Sequence, residues 1–146
     1  MVQTNSWGTN QPGLPYSTSS QEIDDFVWNN QQAVILFAAG NDGIDANSNG
    51  VVDTGQIGAE AAAKNCITVG ASESQRREIH ASWGTYGAVP GNPFPANPIH
   101  NDSFANDPEG MAAFSSRGLT KEGRIKPDEI RSMLLSAYIQ TRGRAA

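Results

Sequence analysis

The sequence predicts an α/β fold with a mainly parallel β-sheet. Two apolar runs carry this prediction: Ala33–Gly40, "AVILFAAG", and Asn65–Ala71, "NCITVGA". Uninterrupted apolar runs of this length are typical of strands buried on both faces, as in parallel sheets. The segment before the first run, "STSSQEIDDFVWNNQQ", has helical periodicity. Strand and helix therefore alternate along the chain, which is the order of an α/β protein.

The elements before the first buried run are a short strand and a helix. The N-terminal "VQTNSW" is β-prone, and a Pro- and Gly-containing loop follows it. Ser19 and Glu22 fit a capping box that begins the helix. The apolar positions of the helix recur three and four residues apart, at Ile23, Phe26 and Val27. The sequence therefore predicts an amphipathic helix between two strands.

The second half of the chain is predicted to consist mostly of loops. "GAEAAAK" fits a short helix or a turn, "MAAFSSRG" a short strand entering a turn, and "LTKEGRI" a charged hairpin or loop. The Pro- and Asn-rich stretch 88–109 has no periodicity and predicts a long surface loop. Pro127 suits the first turn of a helix. An apolar stripe predicts that this helix continues into the tail, at Ile130, Met133, Leu134, Ala137 and Tyr138.

Composition excludes several classes of function. A chain of 146 residues is one domain or a piece of a larger one, and its net charge of −5 argues against a nucleic-acid partner. No apolar run approaches the ~20 residues of a membrane span. The N-terminal residues have neither the basic start nor the apolar run of a signal peptide. The single cysteine, Cys66, lies in an apolar run, which favours a buried, inert thiol over a nucleophile.

Four blocks resemble, in their order and context, the subtilases, the subtilisin-like serine peptidases. They are "TNSWG", "ILFAAGNDG", "AKNCITVGAS" and "FSSRGLTKEGRIKPD". The resemblance implies a partial three-layer subtilisin-like fold over residues 1–128, with residues 129–146 as a divergent tail. It also implies proteolysis by an Asp, His and Ser triad, a peptide or protein substrate and an extracellular location.

The resemblance also implies a substrate site. The Asn of the family's "AAGN" block provides the oxyanion hole, and here it is Asn41. An amide suits this role because it donates hydrogen bonds to a developing oxyanion without carrying a charge. The carboxyl end of a parallel strand is also where α/β sheets bind ligands. The alternative is that Gly-Asn only begins a turn. The residues implied to line the substrate cleft are Ser6, Trp7, Gly8, Ala38, Ala39 and Gly40.

The motifs that carry the triad do not occur in this sequence. The family's base lies in a His-Gly-Thr block and its nucleophile in Gly-Thr-Ser-Met-Ala, and neither is present. We interpret His80 and His100 as surface-loop residues, and Ser115 and Ser116 as structural. Because nucleophile and base must lie within hydrogen-bond reach, we expect no hydrolytic turnover from this chain alone. Glu60 replaces a proline that usually shapes the cleft wall in subtilases.

The Asp- and Asn-rich loop after Asn41 predicts a calcium site. It fits the frame D-x-N-x-N-G-x-x-D, in which alternate residues aim oxygens at one ion. The predicted ligands are the side chains of Asp45, Asn47, Asn49 and Asp53, with the carbonyl of Val51. Gln56 stands where the full motif has a bidentate Glu, so binding would be weak and would rigidify the loop. The alternative is an Asx-rich turn without metal.

Three hypotheses of function therefore remain open. The first is the central segment of a subtilisin-like serine endopeptidase, with oxyanion and pocket elements but without the triad. The second is a non-catalytic, calcium-stabilised peptide-binding module or pseudoenzyme. The third is a fragment that folds poorly alone, because its apolar strands need neighbours on both faces. No organic cofactor is predicted.

Overall fold

The computed structural model describes residues 1–9, 11–76 and 84–132. Within these ranges four strands form one sheet in the order β1-β2-β3-β4, and every neighbouring pair is parallel. The predicted α/β class with a mainly parallel sheet is therefore confirmed. The elements are β1 (Val2–Asn5), α1 (Thr18–Asn29), β2 (Val34–Ala38), β3 (Ile67–Ser72) and β4 (Glu129–Ser132), with 3₁₀ helices at Glu60–Ala62, Tyr86–Ala88 and Ile99–Asn101.

The predicted burial of β2 on both faces holds for one face only. Ile35 and Phe37 are buried, whereas Leu36 and Ala38 are half-buried and Val34 is 40% exposed. Alternate residues of a strand point to opposite faces of the sheet. In the described part of the chain, the face that carries Ile35 and Phe37 is the better covered, which explains the difference.

Helix α1 covers the buried face of β2. Ile23 and Val27 pack against the cluster beneath the helix, as the spacing predicted, but Phe26 is 42% exposed. Cys66 lies in this cluster and is 5% exposed. The buried members of the cluster are Ile35, Phe37, Ala39, Ile57, Ala61, Ala62, Ala63 and Cys66. Small alanines allow the 3₁₀ helix to approach the sheet closely.

The start of α1 differs from the prediction. The N-cap is Ser17, and its backbone N–H donates to the hydroxyl of Ser20 at 3.1 Å. The capping box is therefore formed by Ser17 and Ser20, and the predicted pair of Ser19 and Glu22 is wrong. Ser20 is fully buried and donates in turn to the carbonyl of Ala59 at 2.6 Å. The contact between Ser20 and Ala59 therefore determines where α1 begins, which the spacing of the serines alone did not decide.

Residues 88–109 form a long loop with one short 3₁₀ helix, as predicted, but the prediction that the loop lies on the surface is wrong for several of its apolar residues. Phe94 and Phe104 are buried, and their rings lie 5.3 and 4.2 Å from the ring of the buried Tyr86. The aromatic side chains form a second core without regular secondary structure, because apolar burial does not require periodicity. This second core contains Val52, Ala71, Tyr86, Val89, Phe94, Phe104, Ala112, Ala113 and Phe114.

The remaining loops agree only in part with the predictions. Met111 forms a single bridge with Ser72 where "MAAFSSRG" predicted a strand. "LTKEGRI" closes like a hairpin, because the N–H of Thr120 donates to the carbonyl of Arg124 at 2.9 Å.

The C-terminal helix prediction is wrong for residues 129–132, which form β4 at the edge of β3. Its other predicted positions, from Met133 onward, lie outside the described residues, as does His80. A helix long and apolar enough to cross a membrane is absent from the described ranges.

Candidate functional site

A cleft of about 490 Å³ opens where β1 and β2 end. Its walls come from the residues that directly follow these two strands and from the 3₁₀ helix before β3. The lining residues are Ser6, Trp7, Gly8, Thr9, Ala38, Ala39, Gly40, Asn41, Asp42, Gly58, Glu60 and Ala61. All of the residues that the sequence implied for substrate binding, and the oxyanion candidate Asn41, therefore meet in one cavity. Thr9, Asp42, Gly58 and Ala61 were not predicted.

Asn41, the oxyanion candidate, is one of the polar residues that line this cleft. The residue is half-buried, and its side-chain amide makes no hydrogen bond to another described residue. An amide with unused donors at the wall of a cavity can donate to a ligand oxygen. Its position at the carboxyl edge of the parallel sheet is the usual place for ligand recognition in α/β proteins.

The "FSSRG" segment holds the turn that carries Asn41. The backbone N–H of Ser116 donates to the carbonyl of Gly40 at 3.1 Å, and the hydroxyl of Ser116 accepts from the N–H of Asp42 at 3.1 Å. The N–H of Gly43 donates to the carbonyl of Phe114 at 2.9 Å. Ser116 thus fixes the backbone on both sides of Asn41. The interpretation of Ser116 as structural agrees with these bonds, but no sequence signal predicted the bonds themselves.

Glycine is required at Gly40 for two reasons. Its φ of +110° lies in a region that other residues rarely adopt, and a Cβ there would lie 2.7 Å from the hydroxyl oxygen of Ser116. The missing side chain lets Ser116 approach the turn. The strand exit is therefore bent sharply at the point where Asn41 enters the cleft.

Trp7 forms the exposed rim of the cleft. Its ring meets the ring of Phe37 edge to face, with centroids 5.4 Å apart, and its indole N–H donates to the side-chain oxygen of Asn5 at 3.2 Å. The amide nitrogen of Asn5 donates to the carbonyl of Leu36 at 3.2 Å. Trp7 nevertheless remains 63% exposed, so a large apolar surface is available beside the cavity.

Glu60 lies at the inner wall, where the resemblance led us to note the loss of a proline. The residue is only 5% exposed. Its Oε2 accepts hydrogen bonds from the backbone N–H of Thr9 at 3.1 Å and from the hydroxyl of Thr9 at 3.0 Å. A carboxylate therefore joins the segment after β1 to the 3₁₀ helix before β3.

Ser115, Ser116 and Cys66 are all buried. Ser115 and Ser116 are both fully buried, and the hydroxyl of Ser115 accepts from the N–H of Ala71 at 3.0 Å. Burial raises the pKa of the Cys66 thiol, which disfavours the reactive thiolate. His100 is half-buried, not a surface residue as interpreted, and its Nδ1 lies 3.0 Å from the carbonyl oxygen of Phe94.

The first half of the predicted calcium loop is organised around Asp45. This side chain is 1% exposed. Its Oδ1 accepts from the backbone N–H of Asn49 and its Oδ2 from that of Gly50, both at 2.9 Å. Both carboxylate oxygens therefore accept hydrogen bonds from backbone N–H groups of the loop, as in an Asx turn.

The second half of the loop has the same character. The carboxylate of Asp53 accepts from the N–H of Ala46 at 2.8 Å and from the side-chain amide of Asn47 at 2.6 Å. The side-chain oxygen of Asn49 accepts from the N–H of Val51 at 2.8 Å. These side-chain oxygens accept hydrogen bonds from donors within the loop. No group of three His, Cys, Asp or Glu side chains converges in the described ranges, so calcium binding stays a prediction.

The fold and the cleft define an α/β protein with a cavity at the carboxyl edge of a parallel sheet. Residues 1–129 match the sequence model of the subtilase family. The chain therefore belongs to the subtilase family, whose members are serine proteases and hence hydrolases. A search of curated proteins gave no match.

Proposed function

We propose that this chain provides the oxyanion donor and the substrate pocket of a subtilisin-like serine endopeptidase, and that Asn41 is the donor. The observation that carries this proposal is the meeting of Asn41 with the "SWG" and "AAG" segments in one cleft at the strand ends. The family match supports the same reaction class. The substrate is a peptide or protein chain, met outside the cell.

The chemistry follows from the charge that develops during acyl transfer. Attack on a peptide carbonyl places a negative charge on its oxygen, and a fixed amide donor stabilises that charge more than the neutral carbonyl. The bonds from Ser116 to Gly40 and Asp42 hold the backbone around Asn41 before substrate arrives. A donor fixed in advance needs no reorganisation during the reaction.

The same chain does not initiate the reaction on its own. Its sequence has no His-Gly-Thr or Gly-Thr-Ser-Met-Ala block, and Ser115 and Ser116 are enclosed. A peptide-binding module that does not cleave its ligand is therefore the second candidate function. Both candidates predict that a fluorophosphonate probe, which labels activated serines, leaves the chain unlabelled, and labelling of any serine would contradict this part of the proposal.

Binding of a product-like peptide tests the role of Asn41. The ligands are two N-acetylated tetrapeptides that are identical except for a C-terminal carboxylate or a C-terminal amide. The carboxylate oxygen imitates the oxyanion, so we expect tighter binding of the carboxylate and a shift of the Asn41 side-chain amide resonance. Asn41→Ala should weaken carboxylate binding by about three- to tenfold, as loss of one hydrogen bond to a charged group in a partly solvated site implies.

Asn30→Ala is the matched control for this experiment. Asn30 is an exposed asparagine after α1, and its amide donates to the carbonyl of Phe26 at 2.8 Å. This variant should bind both peptides like the wild type. Equal affinities of wild type and Asn41→Ala for the carboxylate peptide would remove Asn41 from the proposed site.

A further inference from the structure

The charge of the cleft has one sign. The charged residues among its described lining are Asp42 and Glu60, and none of the described lining residues is a lysine, arginine or histidine. Glu60 also lines a smaller hollow on the other side of Trp7, together with α1 residues such as Ile23. Glu60 thus lines two cavities, and none of the described residues in either wall has a basic side chain. In the described part of the chain it has no salt-bridge partner within 4.0 Å.

One oxygen of the Glu60 carboxylate remains available to a ligand. Oε2 accepts both bonds from Thr9, whereas Oε1 accepts none from any residue that the structure describes. Among these residues, the side-chain atoms that are both enclosed and without a hydrogen-bond partner are Nε of Arg117 and Nε of Arg124. Glu60 Oε1 is not one of them and is therefore open to the cavities that Glu60 lines.

We propose that the cleft selects peptides with a cationic side chain, lysine or arginine, and that Glu60 is the counter-ion that makes this selection. This inference rests on the proposed function, because it takes the cleft as the place where a peptide side chain enters. It extends that function by assigning a substrate class and a specificity-determining residue.

The physical reason is the loss of water from the Glu60 carboxylate when a peptide side chain fills the cleft. A neutral side chain that enters the cavity removes water from the carboxylate and returns no compensating charge, which is unfavourable. A guanidinium or ammonium group replaces that water with a charge-assisted hydrogen bond to Oε1. The bonds from Thr9 hold the carboxylate in place, so less side-chain entropy is lost when the cation binds.

Arginine and citrulline distinguish charge from shape. Citrulline is a neutral side chain of nearly the same size as arginine, so two N-acetylated tetrapeptides that differ only in this residue test the charge alone. We expect the wild-type protein to bind the arginine peptide about tenfold more tightly in low salt, a modest share of the attraction between partly buried charges. The preference should fall several-fold between about 50 mM and 500 mM salt, because mobile ions screen the attraction.

Two substitutions locate the source of the preference. Glu60→Gln removes the charge and keeps an oxygen that can accept a bond from Thr9, so the preference should fall to about twofold or less. Glu109→Gln removes an exposed carboxylate that does not line the cleft and should leave the preference unchanged. Circular dichroism spectra of the variants establish that they are folded. The salt series on the wild type tests the proposal without any substitution.

The outcomes separate this inference from the proposed function. If both peptides bind equally and the Asn41 resonance shifts, the cleft receives peptides but does not select cations, and the inference is wrong. If the preference persists in Glu60→Gln, Glu60 is not the counter-ion, and the inference is wrong. If neither peptide binds to the folded protein, the proposed function itself fails.

Discussion

At the scale of single residues, Gly40 decides whether the turn that carries Asn41 can form. Gly40→Ala should lower the free energy of unfolding by about 1–3 kcal/mol, because alanine is strained at this backbone conformation. Its Cβ would also press on Ser116, which has to shift. Urea unfolding of the variant and the wild type measures the loss.

Gly55→Ala is the matched control. Gly55 also has a positive φ, +86°, but a Cβ there meets nothing within 4 Å. The difference between the two variants therefore reports the contact with Ser116. An equal loss in both would show that this contact does not hold the turn.

A second residue-scale prediction concerns the buried pair of Tyr86 and Glu73. The hydroxyl of Tyr86 donates to Glu73 at 2.8 Å and accepts from the N–H of Ala113 at 3.1 Å. Burial raises the pKa of the Glu73 carboxyl, the nearby Asp102 adds to this, and the bonds from Tyr86 and from the N–H groups of Asn106 and Asp107 partly oppose it. The folded state therefore favours the protonated form. The ionised carboxylate costs stability at neutral pH, and this cost disappears as the pH falls through the raised pKa.

Tyr86→Phe should destabilise the protein by about 1–3 kcal/mol at neutral pH, because it removes a donor from a buried carboxylate. The loss should be smaller at a pH below the raised pKa of Glu73, where the group is neutral. Thermal unfolding of wild type and variant across the pH range measures this. Tyr16→Phe, which removes a hydroxyl bonded to Asp24 outside this cluster, is the control. A loss independent of pH would contradict the account.

Residue-scale predictions from the sequence failed where a tertiary partner decides. Ser17, Ser19 and Ser20 all lie near the start of α1, and only the buried bond from Ser20 to Ala59 selects the frame. Nothing in the local sequence of Glu60 revealed that Thr9 would bind its carboxylate from 51 residues away. Such contacts arise from the fold and leave no local pattern.

At the scale of elements, the strands were predictable and the second core was not. The apolar runs predicted β2 and β3, because strands of parallel sheets are typically apolar along their whole length. Phe94 and Phe104 lie in a segment rich in Pro and Asn without any period, so their burial was invisible. Short irregular segments can bury aromatic rings when the surrounding loops close over them, as happens around Tyr86.

Phe94 provides the test of this second core. Phe94→Ala should destabilise the protein by about 3–5 kcal/mol, because it leaves a cavity among closely packed rings. Phe26→Ala removes the same side chain from a position that is 42% exposed and should cost much less. Urea unfolding of both variants measures the difference. Similar losses would mean that residues 88–109 contribute no core.

At the scale of the whole molecule, the melting temperature in calcium shows whether the Asp- and Asn-rich loop stabilises the protein by binding a metal. Calcium that binds only the folded protein raises its melting temperature. The sequence frame predicts such a rise at millimolar calcium, with Asp45→Asn abolishing it. A flat response, with Asp45→Asn lowering the melting temperature at every calcium concentration through the loss of its hydrogen bonds, would identify the loop as a metal-free Asx turn.

The cleft was predicted through the family blocks and not through local physics. A Gly-Asn pair alone predicts only a turn, whereas the resemblance of four blocks in order implied that Trp7, Ala38 and Asn41 line one cleft, as they do. The acidic character of the cavity was not predicted, although the resemblance placed Glu60 at a position that shapes the cleft wall and Asp42 directly follows Asn41. Their proximity to one cavity is a property of the sheet.

The bond between Asp42 and Ser116 spans 74 residues of sequence. When Asn41 leaves the ribosome, Ser116, whose hydroxyl fixes the turn at Asn41, has therefore not yet been synthesised. During synthesis β1 and β2 can pair early. The cleft at their carboxyl ends cannot form until the "FSSRG" segment has left the exit tunnel. A nascent chain stalled before that stretch should hold its strands and still fail to capture peptide.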